Sequence, residues 1–310
     1  MKDFYESRRG RSASLLARRE PVVYGGGAYA RGLESGQLQA YERDGFIVLP
    51  KVFGEDEVEA LCAEVEALGR DPAVLASEEA VREPGGQALR SIFRIHETGR
   101  LLAALPRDPR LLDVVRQILG SEVYIHQSRA NIKPGFEGQE FYWHSDFETW
   151  HVEDGMPAMR ALSCSVLLTD NQAANGPLML IPGSHRQFVS CVGETPEDNY
   201  RQSLRRQEIG VPDPVSLRLL ADAGGIHTVV APAGSVVFFD CNVLHGSAGN
   251  ISPWPRNNVF MVYNSVANTL VEPFHGMRPR PLHIAARGEP DVLTLLPLVV
   301  GKGRRSPATA

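Results

Sequence analysis

The chain contains 310 residues, 43% of them hydrophobic, and 32 basic against 37 acidic side chains give it a net charge of -5. This apolar content is enough for a sizeable core, so wholesale disorder is excluded. A mildly acidic chain is also a poor candidate for general nucleic-acid binding, which depends on Lys and Arg neutralising phosphates.

The cysteines and the apolar runs indicate the compartment. Four cysteines stand at positions 62, 164, 191 and 241, and none of them forms a C-x-x-C pair. This spacing argues against a disulfide framework and against a structural zinc site. The longest apolar runs, such as residues 234–239, are far too short for a membrane span, and the N-terminus lacks the apolar stretch of a secretory signal. We therefore expect a cytoplasmic protein without membrane association.

The first 33 residues lack hydrophobic periodicity, and we expect an irregular arm, basic and flexible, that packs on the body of the protein. A short helix is predicted next, ending at Gly45, and the apolar residues 47–50 that follow it predict a strand. A longer helix is predicted from Glu55. Its acidic first turn suits the positive end of the helix dipole, and apolar residues recur at helical spacing up to a capping Gly69.

A further helix has its start signal at residue 108. Asp108 is suited to cap the N-terminus, Pro109 to occupy the first turn, and Gly120 to end the helix. From residue 121 onward, short apolar or alternating runs lie between Gly and Pro turn signals, which is typical of a β-sandwich or barrel. These runs are residues 123–127, 161–168, 178–181, 235–239 and 259–263. The polar, helix-prone residues 194–225 predict an insertion between strands.

Helices first and strands afterwards predict an α+β fold. We place a single domain at residues 34–310, after the arm at residues 1–33. Within that domain we expect a helical part at residues 34–120 and a β-core at residues 121–285.

One short stretch carries residues suited to bind a metal. On an extended strand, His144 and Asp146 point to the same side, so that an imidazole and a carboxylate converge. His245, at the end of a distant apolar run, is the best candidate to complete a set of two histidines and one carboxylate. Such a set occupies one face of an octahedral metal and leaves the other positions open, as in non-haem Fe(II) oxygenases.

The spacing of His144 and Asp146 does not by itself establish a metal site. His151 and Glu153 have the same spacing, and His144 with Asp146 is also compatible with a purely structural hydrogen bond. Arg256 follows His245 by eleven positions and favours the metal site. An Arg returning on the neighbouring strand is suited to grip the carboxylate of an anionic co-substrate through two parallel hydrogen bonds.

Longer stretches resemble a known family. Residues 40–50 and 175–185 resemble the phytanoyl-CoA dioxygenase family, a branch of the Fe(II)/2-oxoglutarate oxygenases. Within it, Trp143-His-Ser-Asp-Phe-Glu-Thr-Trp-His-Val-Glu-Asp-Gly-Met-Pro157 resembles the ectoine hydroxylases, and the resemblance extends from about residue 21 to residue 281. It implies a double-stranded β-helix, that is, a jelly-roll barrel with the metal inside its open end and with the helices flanking it.

The resemblance also implies roles for individual residues. His144, Asp146 and His245 would bind Fe(II). The contacts to 2-oxoglutarate would come from Lys133, Asn131, Phe141, Ser247 and Arg256. The contacts to ectoine would come from Gln127, Thr149, Trp150 and Arg280. These residue types suit a small zwitterion, because a Trp face attracts a delocalised cation, a Gln amide binds a ring nitrogen and an Arg holds a carboxylate.

The implied activity is hydroxylation of ectoine to 5-hydroxyectoine, which consumes O2 and 2-oxoglutarate, releases succinate and CO2, and serves protection against osmotic stress. A homodimer is implied as well. The carboxylate of Asp146 argues against a halogenase of this family, in which a small residue leaves room for halide. Three alternatives stay open: an oxygenase for another small amino-acid derivative, a zinc hydrolase that uses the same three ligands, and a non-catalytic barrel that only binds a solute.

Overall fold

Most helices precede the long strands along the chain in this computed structural model, which describes residues 2–10, 12–25 and 29–300. The helices are α1 (Ser35–Asp44), α2 (Glu55–Leu68), α3 (Pro72–Ala76), α4 (Leu101–Ala104), α5 (Pro109–Leu119), α6 (Asp146–Thr149), α7 (Tyr200–Ser203) and α8 (Pro214–Gly224). The strands are β1 (Ser14–Ala17), β2 (Phe46–Leu49), β3 (Ala80–Arg82), β4 (Leu89–Phe93), β5 (Val123–Lys133), β6 (Phe141–His144), β7 (Ala161–Leu167), β8 (Leu178–Leu180), β9 (Gln187–Ser190), β10 (His227–Thr228), β11 (Val236–Asp240), β12 (His245–Ser247) and β13 (Arg256–Ser265). A π-helical turn, Trp150–Asp154, continues α6.

The three helices predicted from sequence are confirmed as α1, α2 and α5. At the start of α5, the Asp108 carboxylate accepts a hydrogen bond from the backbone N–H of Arg110 at 3.0 Å, as an N-cap does. At its end, Gly120 adopts a φ of 55°, a left-handed conformation that favours glycine and stops the helix. Among the described residues, no helix is both long and apolar enough to cross a bilayer.

The strands form two large antiparallel sheets. Seven strands in the order β2-β11-β7-β13-β5-β4-β3 make the larger sheet, and four in the order β10-β8-β12-β6 make the smaller one. The described strands do not close into a single barrel. The architecture is therefore the two-sheet form of the predicted jelly roll, in which helices and strands belong to one mixed α and β structure.

Both faces of the larger sheet are covered by apolar side chains. On one face, Leu61 of α2 and Leu112 of α5 join Phe238 of β11 in one buried cluster. On the other face, Phe239 of β11 packs with Leu180 of β8, which belongs to the smaller sheet. Each of these side chains is at most 1% exposed. Burial to this degree stabilises the folded state by about 1.5–3 kcal/mol per large apolar side chain. The space between the two sheets holds the polar residues described below.

The strand registers bring distant residues together. In the smaller sheet, His245 of β12 lies opposite His144 of β6. In the larger sheet, Arg256 of β13 lies opposite Lys133 of β5. Because side chains alternate between faces, these registers decide which groups point into the space between the sheets.

The N-terminal segment differs from the flexible basic arm that the sequence predicts. Residues Ser14–Ala17 form β1, which pairs with β9. Arg8 is only 2% exposed, and its guanidinium forms ion pairs with Glu148 and Glu153. The prediction of flexibility is wrong because the charges of this segment have buried partners more than a hundred residues away, which no local pattern reveals.

Asp108→Ala is expected to lower the free energy of unfolding by about 2 kcal/mol, the upper range for loss of an N-cap. The carboxylate also accepts a hydrogen bond from the backbone N–H of Leu298 at 2.8 Å and binds the guanidinium of Arg110. The substitution therefore removes a partner from the Leu298 N–H and from the Arg110 guanidinium. Denaturant-induced unfolding followed by circular dichroism measures the change. Asp113→Ala on the same helix is the matched control, since the Asp113 side chain has no hydrogen bond in the described structure, and it should stay within about 0.5 kcal/mol of the parent. Equal effects of the two substitutions would contradict the capping role.

Candidate metal centre and substrate cavity

Three side chains converge between the sheets. One ligand atom from each of His144, Asp146 and His245 lies within 4.8 Å of the other two. The Nε2 atoms of His144 and His245 are 3.7 Å and 3.9 Å from the two carboxylate oxygens of Asp146. The convergence does not arise from strand alternation as predicted: β6 ends at His144, and Asp146 is the first residue of α6, with Ser145 as its N-cap.

The hydrogen bonds of the two imidazoles leave one nitrogen of each free for a metal. The Nδ1 atom of His144 is 2.7 Å from the carbonyl oxygen of Tyr142, and that of His245 is 3.0 Å from the carbonyl oxygen of Val243. A carbonyl only accepts, so each Nδ1 carries the proton and donates it. Each Nε2 therefore presents a lone pair toward Asp146, which is the tautomer that a metal ligand requires.

The protonation states also suit a divalent metal. Burial, helped by the neighbouring His245, lowers the pKa of His144 to about 4, so its imidazole is neutral at neutral pH. Burial by itself would raise the pKa of Asp146, but His245, His144 and Arg129 hold it below its ordinary value. Two imidazoles and one carboxylate are the donor set of a non-haem Fe(II) site.

The alternatives for this motif do not fit the structure. The His144–Asp146 distance of 3.7 Å is too long for a hydrogen bond, and a second imidazole faces the same carboxylate. The competing pair is engaged elsewhere: Nε2 of His151 lies 3.0 Å from an Asp3 oxygen, and Glu153 is paired with Arg8. Within the described ranges, His144, Asp146 and His245 form the one group of this kind.

A positively charged region lies next to the metal ligands, between β5 and β13. Lys133 is 1% exposed, and its Nζ donates to the Ser247 hydroxyl at 2.7 Å and to the Ala248 carbonyl at 2.5 Å. Arg256 is 3% exposed, and its Nε has no hydrogen-bond partner in the described chain. Neither cation has a carboxylate within ion-pairing distance among the residues that the structure describes.

The electrostatics of this region favour the binding of an anion. Burial, together with the charges of Arg256 and Arg90, lowers the pKa of Lys133 to about 6. Burial and Arg90 lower the pKa of Arg256 to about 10. Buried cations without a counter-charge are unfavourable, and a bound carboxylate relieves this cost. The donors therefore fit the far carboxylate of a small dianion such as 2-oxoglutarate.

The other two residues predicted for 2-oxoglutarate border the same region. The Asn131 side-chain oxygen accepts a hydrogen bond from the Ser91 hydroxyl at 2.8 Å. The guanidinium carbon of Arg90 lies 3.6 Å over the ring of Phe141, and Nζ of Lys133 lies 5.4 Å from the same ring centre. Phe141 thus separates the positive region from a neighbouring cavity, which it also lines.

This cavity begins at the metal ligands. His144 and Asp146 are part of its lining. All four side chains predicted to contact ectoine also line it, namely Gln127, Thr149, Trp150 and Arg280. Residues that are far apart in sequence thus surround one space that borders two of the three metal-site residues.

The contacts of these four residues determine what they offer to a ligand. Gln127 donates through Nε2 to the carbonyl oxygen of Ile284 at 2.7 Å, and its amide oxygen accepts a hydrogen bond from Nη1 of Arg129 at 3.3 Å, which leaves one lone pair of that oxygen for a ligand. The Trp150 indole packs edge-on against His126, with ring centres 5.3 Å apart. The Arg280 guanidinium donates through Nε and Nη2 to the two oxygens of Asp154, at 2.7 Å and 2.5 Å. Arg280 is therefore already charge-paired, and only its Nη1 has no bond in the described structure.

Sequence reasoning missed Arg129. It lines the cavity, its Nη1 donates to the Gln127 side-chain oxygen at 3.3 Å, and its Nε is buried without a partner in the described chain. Burial lowers its pKa, while Asp146 acts in the opposite direction. The signal was present, because Gln127, Arg129, Asn131 and Lys133 alternate along β5 and therefore share one face.

The outer wall of the cavity comes from the predicted insertion. Ser203, Leu204, Gln207 and Ile209 line it from the segment between β9 and α8. Their sequence is polar and shows no motif, so only the tertiary structure identifies them.

Comparison with known proteins identifies the family of this chain. A model of the phytanoyl-CoA dioxygenase family matches residues 41–258. The ectoine dioxygenase of Bordetella parapertussis is 67% identical over 285 residues, which cover 92% of each chain. The ectoine dioxygenase of Halomonas elongata is 52% identical over 89% of this chain and 82% of its own.

A solved structure is also similar. The crystal structure of EctD from S. alaskensis with 2-oxoglutarate and 5-hydroxyectoine superposes with a TM-score of 0.87. It is 49% identical in sequence, and the superposition covers 96% of this chain and all of that one, 100%. Because the family model spans most of the chain and such relatives match nearly all of it, the chain belongs to the phytanoyl-CoA dioxygenase family, in the branch of the ectoine dioxygenases.

Proposed function

We propose that this protein hydroxylates ectoine to 5-hydroxyectoine, using Fe(II), 2-oxoglutarate and O2 and releasing succinate and CO2. One observation carries the proposal: the cavity that begins at His144 and Asp146 is lined by all four side chains predicted to contact ectoine. Relatives named ectoine dioxygenase, 67% and 52% identical, support the substrate. Such a reaction serves protection against osmotic stress.

The metal and co-substrate would be held by residues of the two sheets. His144, Asp146 and His245 would bind Fe(II), and iron bound there would supply the oxidative chemistry with O2 and 2-oxoglutarate. Lys133 and Arg256 hold the far carboxylate of 2-oxoglutarate. The remaining co-substrate contacts come from Asn131, Phe141 and Ser247.

Ectoine would lie in the cavity in front of the metal. The face of Trp150 attracts its delocalised cationic ring by about 0.5–2 kcal/mol, and the oxygen of Gln127 accepts a hydrogen bond from a ring N–H. Thr149 and the free Nη1 of Arg280 complete the polar contacts, with Arg280 directed at the ectoine carboxylate. The protein thereby positions one C–H bond at the metal and excludes water from it.

We further propose that residues 34–310 act as one domain and that the protein is a cytoplasmic homodimer. We expect it to bind small molecules and neither nucleic acids nor membranes. The cluster that joins α2 and α5 to β11 supports a single folding unit. The buried thiols of Cys164, Cys191 and Cys241, unpaired in the structure, suit a reducing compartment. Light scattering at several protein concentrations tests the dimer.

Anaerobically purified protein, given Fe(II), 2-oxoglutarate, O2 and ectoine, should yield a product heavier by one oxygen atom together with an equal amount of succinate. Mass spectrometry and succinate quantification measure this. His144→Ala should abolish both products because the iron is lost. Turnover with Zn(II) in the absence of 2-oxoglutarate would instead establish a hydrolase. Succinate without any ectoine product, or a better rate with another small amino-acid derivative, would contradict the proposed substrate.

Arg256→Ala should raise the apparent KM for 2-oxoglutarate by about 30-fold or more, the range for removing one partner of a buried charge pair. The KM for ectoine should change by less than about threefold, because Arg256 lies between β5 and β13 rather than in the substrate cavity. Arg256→Lys is the matched control and should be intermediate, since an ammonium retains the charge but not the two parallel hydrogen bonds. A larger effect on ectoine than on 2-oxoglutarate would refute this role.

The affinity for 2-oxoglutarate should fall as pH rises above 6. The pKa of Lys133 in the ligand-free protein is about 6, and a bound dianion favours the charged ammonium, so binding takes up a proton at pH 7–8. Kd should therefore rise by at most about tenfold per pH unit in this range. Calorimetry of the anaerobic Fe(II) protein in two buffers of different ionisation enthalpy measures the uptake. Lys133→Arg remains charged and should flatten the dependence; an unchanged pH profile in that variant would contradict the assignment to Lys133.

A further inference from the structure

Arg8 forms the most extensively bonded ion cluster beside the substrate cavity. Its Nε and Nη2 donate to the two oxygens of Glu148, at 2.9 Å and 2.6 Å, and its Nη1 donates to Glu153 at 2.6 Å. The Arg8 side chain is 0% exposed and those of the two carboxylates 1% and 3%. One N-terminal guanidinium thus offsets part of the charge of two glutamates in residues 148–154, which we call the wall segment.

Arg8 also joins the wall segment to the insertion at residues 194–225. Its Nη2 donates to the Thr149 hydroxyl at 3.2 Å, and its Nη1 to the Thr195 hydroxyl at 3.1 Å. Gly210, with a φ of 73°, passes so close that a Cβ atom there would clash with the guanidinium and with Glu148. Three parts of the chain, distant in sequence, therefore meet at one guanidinium.

The same parts supply about half of the residues that line the substrate cavity. The wall segment contributes Thr149, Trp150 and Glu153 to its lining. The insertion contributes Ser203, Leu204, Gln207 and Ile209. In contrast, Lys133 and Arg256 lie on the paired strands β5 and β13 and have no contact with Arg8. A displacement of the wall segment would therefore disturb the contacts to ectoine more directly than the contacts to 2-oxoglutarate.

We infer that Arg8 is a positioning residue for the substrate: it holds the wall segment against the insertion so that Thr149 and Trp150 face ectoine. This inference rests on the proposed function. Burying an arginine with two glutamates brings little net stability, because desolvation offsets much of the attraction. Removing the arginine, however, leaves two buried carboxylates without their counter-charge. Their repulsion and hydration would separate the wall segment from the insertion.

The other partners of these glutamates do not replace Arg8. The Ser7 hydroxyl donates to Glu148 at 2.5 Å, and the Asn199 amide donates to Glu153 at 3.0 Å. Arg280, which is paired with Asp154, also attracts Glu153 but forms no hydrogen bond with it. Ser7 and Asn199 are neutral, so they satisfy single lone pairs without the charge that Arg8 supplies. The guanidinium alone spans both carboxylates and both threonines in one planar fork.

The test compares Arg8→Ala and Arg8→Lys with Arg160→Ala. Arg160 is the matched control because its guanidinium, though less buried than that of Arg8, also donates within the chain, to the carbonyls of Leu119 and Gly120 at the end of α5 and away from the cavity. Arg8→Ala should raise the KM for ectoine by about tenfold or more, leave the KM for 2-oxoglutarate within about twofold, and increase succinate release without ectoine product. Arg8→Lys should recover part of the ectoine KM, and Arg160→Ala should leave both KM values unchanged.

Amide hydrogen exchange provides a readout that does not depend on turnover. In Arg8→Ala, peptides covering residues 148–154 and 195–210 should exchange faster, while peptides of β5 and β13 should not. Should Arg8→Ala be insoluble, Arg8→Lys and Thr195→Val carry the same test with smaller effects. Equal rises in both KM values, or unchanged exchange in the wall segment, would overturn the inference. A parent protein that makes no hydroxyectoine would refute the proposed function instead, and the exchange result would still decide the role of Arg8.

Discussion

The chemistry of this protein depends on two strand pairings. One places His245 opposite His144 in the smaller sheet, and the other places Arg256 opposite Lys133 in the larger sheet. Because side chains alternate along a strand, a slip of one residue in either pairing would turn these groups to the opposite face. The apolar cluster between the sheets, with Phe239 as a central member, prevents such a slip. Correct packing of the core and correct placement of the ligands are therefore the same structural requirement.

Buried charges in the site fall into two kinds. Arg8 and Arg280 each have carboxylate partners, so their charges are compensated within the protein. Lys133, Arg256 and Arg129 form no ion pair among the described residues, and burial lowers the pKa of each. A protein under selection for stability alone would not retain unpaired buried cations, because each is costly. Their clustering around one metal set identifies the place where small anions complete the structure.

Local sequence patterns predicted the elements whose signals are local. Asp108, Pro109 and Gly120 define a helix by backbone chemistry alone, and α5 begins and ends where they predict. The metal set was predicted correctly in composition but for a wrong reason, since Asp146 belongs to a helix rather than to an extended strand. Arg129 was overlooked although strand alternation places it beside Gln127. The burial of Arg8 had no local signal at all, because it depends on glutamates 140 and 145 residues away.

The two ends of the site are therefore built by different means. At the metal and co-substrate end, most side chains stand on hydrogen-bonded strands, whose geometry is fixed by many cooperative contacts, and Asp146 begins the helix that follows β6. The substrate end consists of the wall segment and the insertion, which meet through ion pairs and hydroxyl contacts rather than through a sheet. Changes in the strands would remove the reaction itself, since they displace the metal ligands. Changes in the wall segment or the insertion would keep the metal centre and alter which molecule fits in front of it. Substrate specificity can thus vary without disturbing the oxidative chemistry. In return, the wall segment depends on ion pairs, rather than on a sheet, for its position.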